Sequence, residues 1–307
     1  MMIRAVLLVL LCSITPFAAV ALDSHKKYTI AFAQDTLDND FRLAQVTGVR
    51  NALSKYPNIH FVYSNAKAST ALQIKQIEDF IYQGVDLLIT SPYNEIATTD
   101  VVAKAYKSGI PVIMLDRSVR GNDYTVYIHP DNKKIARDAA EFLAKQLHYK
   151  GTVLLLKGVP STDSTRKRTE GFYEIMQQYP QINVLEYTAN YLRRDALIGV
   201  DKLLKQGRHF DAIMSQSDSM LIGARIALND HGIDPSSLVS VGIDYIKPAR
   251  CAIRSGRQTS SFLYALGAKE SADIAMKILA GEPVPKEIIL ESLQVTRDNA
   301  DVIEPIF

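Results

Sequence analysis

From Lys27 onward, short runs rich in β-branched and aromatic residues alternate with longer segments in which apolar residues return every three or four positions. That alternation predicts βαβ units and parallel sheets, because parallel neighbours are joined through a covering crossover, usually a helix. The first strand is expected at residues 28–33, followed by a helix whose inward stripe is Leu43, Val46, Val49, Leu53 and Tyr56. Strands at 59–63, 86–90, 110–115 and 124–128 alternate with helices at 70–82 and 95–107, and Gly84 and Gly109 fall just past those two helices, where a left-handed cap belongs. A helix follows His129-Pro130-Asp131-Asn132 and runs to Leu147. After Tyr149-Lys150-Gly151 the cycle restarts, with strands at 152–156, 183–187, 212–215 and 239–243 and helices at 163–179, 195–206 and 220–231. The remainder predicts a helix at 248–255, a strand at 259–263, a helix at 267–279 and an irregular tail through Glu291-Ser292-Leu293. Two arrays of similar size meet near Pro130, and one βα unit is left over after the second, so the chain is expected to cross back and complete the first. The expected domains are 22–129 plus 265–292 and 130–264 plus 293–307, with crossovers near Pro130, Tyr264 and Ser292.

The strand ending in Val112-Ile113-Met114-Leu115 stops abruptly at Asp116-Arg117, as a buried parallel strand does at the carboxyl edge of a sheet. Open α/β sheets keep their ligand sites at that edge. A carboxylate beside a guanidinium suits a polyhydroxylated ligand, since one accepts from hydroxyls and the other donates to their oxygens in a planar fork. The plainer alternative is a strand-end ion pair or a cap. Asp35, Asn39, Asn94, Ser217, Asp218 and Asp244 also end predicted strands or begin the helices after them, and Arg166 and Arg168 open another helix. Each alone fits a cap or a loop charge; their shared topological position makes them candidates together. Phe41, Tyr93 and Tyr191 fall in the same loops and offer faces for the C–H side of a sugar ring.

At 307 residues and 47% hydrophobic, the chain can bury two cores. Residues 1–21 read as a secretory signal: Arg4, an apolar run from Ala5, and Ala19-Val20-Ala21 as the cleavage site before Leu22. Cys12 follows Leu11 rather than a small residue, which argues against a lipoprotein, and Ser13, Thr15 and Pro16 interrupt the run too early for a spanning helix. Removing Arg4 lowers the formal charge from +2 to +1, a balance that recruits neither nucleic acid nor a membrane surface. Only Cys251 survives processing, so no internal disulfide is expected, and its apolar-basic helix suggests packing. Nucleophile-elbow, zinc-protease, Walker and dinucleotide motifs are missing, and Arg117 lowers the Asp116 carboxyl rather than raising it toward a general acid. No enzyme activity, cofactor or metal is expected.

Several stretches resemble the ribose/galactose-type periplasmic sugar-binding proteins: Thr36-Leu37-Asp38-Asn39-Asp40-Phe41, Gly109-Ile110-Pro111-Val112 running into Leu115-Asp116-Arg117, Arg166 through Phe172, Gln216-Ser217-Asp218-Ser219-Met220, and Gly242-Ile243-Asp244. The resemblance, from about Tyr28 to Gln294, implies a type I substrate-binding protein: two doubly wound αβα domains with parallel sheets, a three-segment hinge, and a monosaccharide in the cleft. Carried over, the family's contacts fall on Asn39, Phe41, Asp116 and Arg117 from the first domain and Arg168, Tyr191, Ser217 and Asp244 from the second. Here Asp35 replaces a serine of the ribose binders, Arg42 a second phenylalanine and Ser217 an asparagine, while Tyr264 stands nearest the family's glutamine. The expected ligand is a neutral monosaccharide or sugar alcohol, a hexose ahead of ribose, passed by a monomeric periplasmic protein to the permease of an ABC importer or, alternatively, to a membrane sensor. Replacing Asp116 or Arg168 with alanine is expected to weaken binding far more than the fold.

Overall fold

The computed structural model describes residues 26–307, so the expected export signal, its cleavage site and Cys12 lie outside the described residues. The first sheet is parallel throughout and contains β1 (Tyr28–Gln34), β2 (Ile59–Asn65), β3 (Leu87–Ser91), β4 (Val112–Leu115), β5 (Val126–Pro130) and β11 (Glu287–Leu290), in the order β11-β5-β4-β3-β1-β2. The second contains β6 (Gly151–Lys157), β7 (Ile182–Thr188), β8 (Ala212–Ser215), β9 (Val239–Asp244), β10 (Ser260–Leu263) and β12 (Gln294–Val295), in the order β12-β10-β9-β8-β6-β7, with only β12 antiparallel. The molecule is thus two doubly wound α/β lobes.

Both faces of each sheet are covered. In the first lobe, Val46, Val49 and Leu53 of α1 (Asp40–Leu53) and Ala272 and Ala275 of α9 (Ala268–Leu279) cover one face. Ile77 and Phe80 of α2 (Thr70–Gln83) and Val101, Val102 and Ala105 of α3 (Thr99–Lys107) cover the other. In the second lobe the two-residue period of β6 divides the work: Val153 and Leu155 face α4 (Asn132–Gln146) and α5 (Asp163–Met176), while Leu154 and Leu156 face α6 (Arg193–Lys205) and α7 (Asp218–Asp230). These helices pack closely enough that a Cβ on Gly171 would lie 2.3 Å from the Lys133 carbonyl oxygen, and one on Gly223 2.1 Å from that of Arg193.

The structure corrects several local expectations. Leu43 is 53% exposed and leaves the inward stripe to Val46, Val49 and Leu53. The helix expected from Glu95 begins at Thr99, because Asn94 turns the chain by accepting from the amides of Ile96 and Ala97. The fifth strand is shifted to end at Pro130, and the tail carries two strands, β11 and β12, too short to show a period. Cys251 is exposed on α8 (Lys247–Arg254) and does not pack.

The chain passes between the sheets three times: from β5 into α4, from β10 into α9, and from β11 to β12. In each sheet the strand order reverses beside its first strand, at β1/β3 and β6/β8, and the carboxyl ends of both sheets face one cleft.

Candidate functional site

The cleft holds a narrow pocket lined by Asn39, Phe41, Arg42, Asp116, Arg117, Ser164, Arg168, Tyr191, Ser217, Asp244 and Tyr264. Three helix starts, three strand ends and the turn before α6 deliver them. Asn39 is the N-cap of α1, accepting from the Arg42 amide at 3.1 Å, and Ser217 is the N-cap of α7, accepting from Met220 at 3.3 Å. The capping and cavity-lining roles therefore coincide, because the hydrogen bond that finishes the helix also holds the side chain at the cleft. Ser164 and Arg168 stand on the first turns of α5.

Asp116 and Asp244 end β4 and β9 in left-handed backbone, with φ of +69° and +115°, and Tyr191 has φ of +61°. Around Asp116 the Arg117 amide donates to the Leu115 carbonyl at 2.8 Å, closing a strained three-residue turn. Such conformations cost about 1–3 kcal/mol each and persist only where the surroundings enforce them.

A buried ionic network supports the first-lobe wall. Arg42 Nη2 lies 2.6 Å from Asp116 Oδ2 and its Nε 3.5 Å from Asp35 Oδ1, while Nη1 donates to Gln45 and Ser91. Arg117 Nη1 reaches Asp35 Oδ2 at 2.5 Å. Asp35 is therefore placed behind the cavity, and it clamps the two arginines that line it. Burial alone would raise the Asp116 carboxyl, but Arg42, Arg117, the Tyr264 hydroxyl and Arg168 together hold it below the usual carboxylate range.

From the second lobe, Arg168 donates to the Asn132 side chain at 2.7 Å and to the Gln216 carbonyl. The Tyr191 ring rests where a Gly158 Cβ would stand 1.9 Å from it, so only glycine fits there. Its hydroxyl is held by Thr165 at 2.8 Å and lies 3.4 Å from Ser164. The guanidinium carbons of Arg117 and Arg168 lie 5.5 and 5.8 Å from this ring, one from each lobe. Tyr264, on the crossover after β10, donates to Asp116 Oδ1 at 2.5 Å, meets Phe41 edge-on at 5.6 Å and lies under Arg168 at 4.5 Å. Burial pushes Asp244 well above the usual carboxylate range; Arg168 and Arg42 oppose the rise while Asp218 and Asp116 add to it.

Of the expected site residues, the structure brings together Asn39, Phe41, Asp116, Arg117, Arg168, Tyr191, Ser217, Asp244 and Tyr264. It does not bring in Asn94, which is spent on the turn before α3, nor Tyr93, which packs against the second-lobe core. Arg166 stands on the rim, paired with Glu95. Arg42 and Ser164 are lining residues that the sequence reading did not select. Arg42 is visible only as a departure from the ribose pattern, and Ser164 only as one of four polar residues, Thr162 to Thr165, that open a helix. Among the described residues no group of three or more histidine, cysteine or carboxylate side chains is arranged to hold a metal.

A profile of the periplasmic binding protein domain matches residues 30–283. The chain is 30% identical over 282 residues to the ribose import binding protein RbsB of Bacillus subtilis, covering 90% of this chain and 91% of that one. It is 28% identical to a xylitol-binding protein of Mycolicibacterium smegmatis, over 81% of this chain and 72% of the other. Among solved structures, the fructose-binding periplasmic domain of a hybrid two-component system superposes with a TM-score of 0.84 at 28% identity, covering 90% of this chain and 92% of that domain. The two α/β lobes are those of a type I periplasmic binding protein, and the chain belongs to the periplasmic binding protein domain family.

Proposed function

We propose that this protein is an exported solute-binding protein that captures a neutral monosaccharide or sugar alcohol in the cleft and delivers it to an ABC-type importer. The observation that carries the reading is a pocket in the cleft lined from both lobes by carboxyl, guanidinium, hydroxyl and aromatic groups. Arg42 and Arg117 are already paired with Asp116 in the wall and with Asp35 behind it, so two of the three lining arginines are compensated by the protein itself and the wall suits hydroxyls better than a phosphate. Buried groups that need a hydroxyl partner discriminate against analogues lacking one. The named relatives support the sugar class: ribose, xylitol and fructose stand in their descriptions.

In this reading the protein is a monomer without enzymatic activity. Its domains are 22–129 plus 265–292 and 130–264 plus 293–307, hinged at three segments, and ligand shifts the hinge equilibrium because both walls engage it only when closed. Residues 1–21 are removed on export to the periplasm, so intact mass of the secreted chain should start at or near Leu22. A sensor role is the second reading, favoured by the likeness to a domain of a hybrid two-component system.

The decisive experiment is a thermal-shift panel of ribose, allose, fructose, galactose, xylitol and myo-inositol, since a ligand at 100 times its Kd stabilises the fold by about 2.7 kcal/mol. Stoichiometric binding of one of these without turnover supports the proposal. A response only to acidic or phosphorylated compounds, or conversion of the sugar, overturns it.

A further inference from the structure

The cleft is bridged at its rims by side chains that do not line the inner cavity. On one side, Arg193 at the start of α6 lies 2.7 Å from Asp40 at the start of α1, and Ser219 of α7 donates to the same carboxylate at 3.2 Å. On the other, Arg166 of α5 donates to Glu95 through both Nε and Nη2, at 3.2 and 3.0 Å. Glu95 is also 3.0 Å from Arg120 of its own lobe, its amide donates to the Ser161 carbonyl at 2.9 Å, and the Ser161 hydroxyl donates to the Tyr93 carbonyl at 2.7 Å. Asp40, Glu95 and Tyr93 belong to the first lobe, and Arg193, Ser219, Arg166 and Ser161 to the second, so every one of these bonds except the Arg120 pair breaks when the lobes part.

We infer that Asp40–Arg193 and Glu95–Arg166 are positioning residues for capture: two straps that hold the half-sites in register and set how much of the protein is closed before any ligand arrives. They need no ligand to form, since their partners are each other. The binding-competent fraction multiplies directly into apparent affinity, so a strap that raises this fraction tightens binding without touching the ligand. The straps are unequal. Both members of the Asp40–Arg193 pair are about half exposed, at 47–49%, and salt screens such a pair. The Glu95 side chain is only 9% exposed and accepts a two-point contact, which makes it the stronger and less salt-sensitive of the two. The inference rests on the two-lobed fold and not on the identity of the sugar.

The test is small-angle scattering of the purified, ligand-free chain at about 10 mM and about 1 M salt. The wild type should be compact at low salt and expand slightly at high salt. The double variant Asp40→Asn/Glu95→Gln should be expanded already at low salt with little further change. Loss of one exposed pair should shift the open-to-closed ratio by about two- to fivefold, and loss of Glu95 by about tenfold. The exchanged pair Asp40→Arg/Arg193→Asp should return toward wild-type compactness, a rescue that a merely structural role does not give. A double variant with the wild-type profile at both salts, or an exchanged pair as expanded as Asp40→Asn alone, overturns the inference. Because no ligand is added, its failure is separate from failure of the sugar reading.

Discussion

Asp116 shows how one residue is committed to fold and site together. Its Oδ1 accepts from Tyr264 and its Oδ2 faces Arg42, so removing it leaves a buried guanidinium without its nearest counter-charge. Breaking a buried pair from one side costs about 3–5 kcal/mol. Asp116→Ala should therefore lower stability as well as affinity, which revises the expectation that binding would suffer far more than the fold. Calorimetric titration and thermal melts on the same preparation check this; a variant that melts like wild type refutes it. Arg168→Ala should weaken sugar binding by about ten- to a hundredfold, since a lost charged partner is worth about 1.5–3 kcal/mol. The acid groups give opposite pH signatures. Asp116, held low, contributes stability that is present above the unfolded carboxylate range near pH 4 and is lost as pH falls through its folded value. Asp244 and Asp218, raised chiefly by burial, contribute stability that is complete below that range and drains away as pH climbs toward their folded values. Asp244→Asn should thus flatten the decline in melting temperature as pH climbs above about 4, and a profile superimposable on the wild type would contradict this.

Elements carry the site because helix starts and strand ends are where side chains can be aimed without breaking a ladder. Asn39 and Ser217, each taken alone, read in the sequence as caps before site residues, and the structure makes each of them both a cap and a lining residue. Gly158 has no sequence signal, since its requirement comes from the Tyr191 ring seated on its Cα. The helix pairs of the second lobe depend on similar close approaches. Gly171→Ala puts a methyl against the Lys133 backbone, which a side-chain rotation cannot relieve, and should cost about 1–3 kcal/mol in chemical denaturation. An unchanged midpoint would mean that α4 and α5 slide apart freely.

At the scale of the molecule, the last 21 residues matter out of proportion to their number. β11 closes the edge of the first sheet on β5, and β12 closes the edge of the second on β10. Ending the chain after Lys286 removes a strand from both lobes together with one passage between them. Such a truncation should melt well below the full chain and lose the shift given by the sugar panel; circular dichroism melts decide, and a cooperative transition at the full-length temperature would count against it.

The alternation of apolar runs and amphipathic segments by itself determined the α/β class, the two arrays and the unpaired unit at 259–279, because hydrophobic period and cap residues are local properties of the chain. Residues at strand ends and helix starts were legible as site candidates for the same reason. Tertiary structure alone decided which of them meet. Asn94 is consumed by a turn, Asp35 withdraws behind Arg42 and Arg117, and Arg42, Ser164 and Gly158 join through contacts with residues of their own lobe that are distant in the sequence. The two tail strands were invisible to the sequence because four and two residues are too few to show a period; their partners, β5 and β10, supply the order that the segments lack on their own.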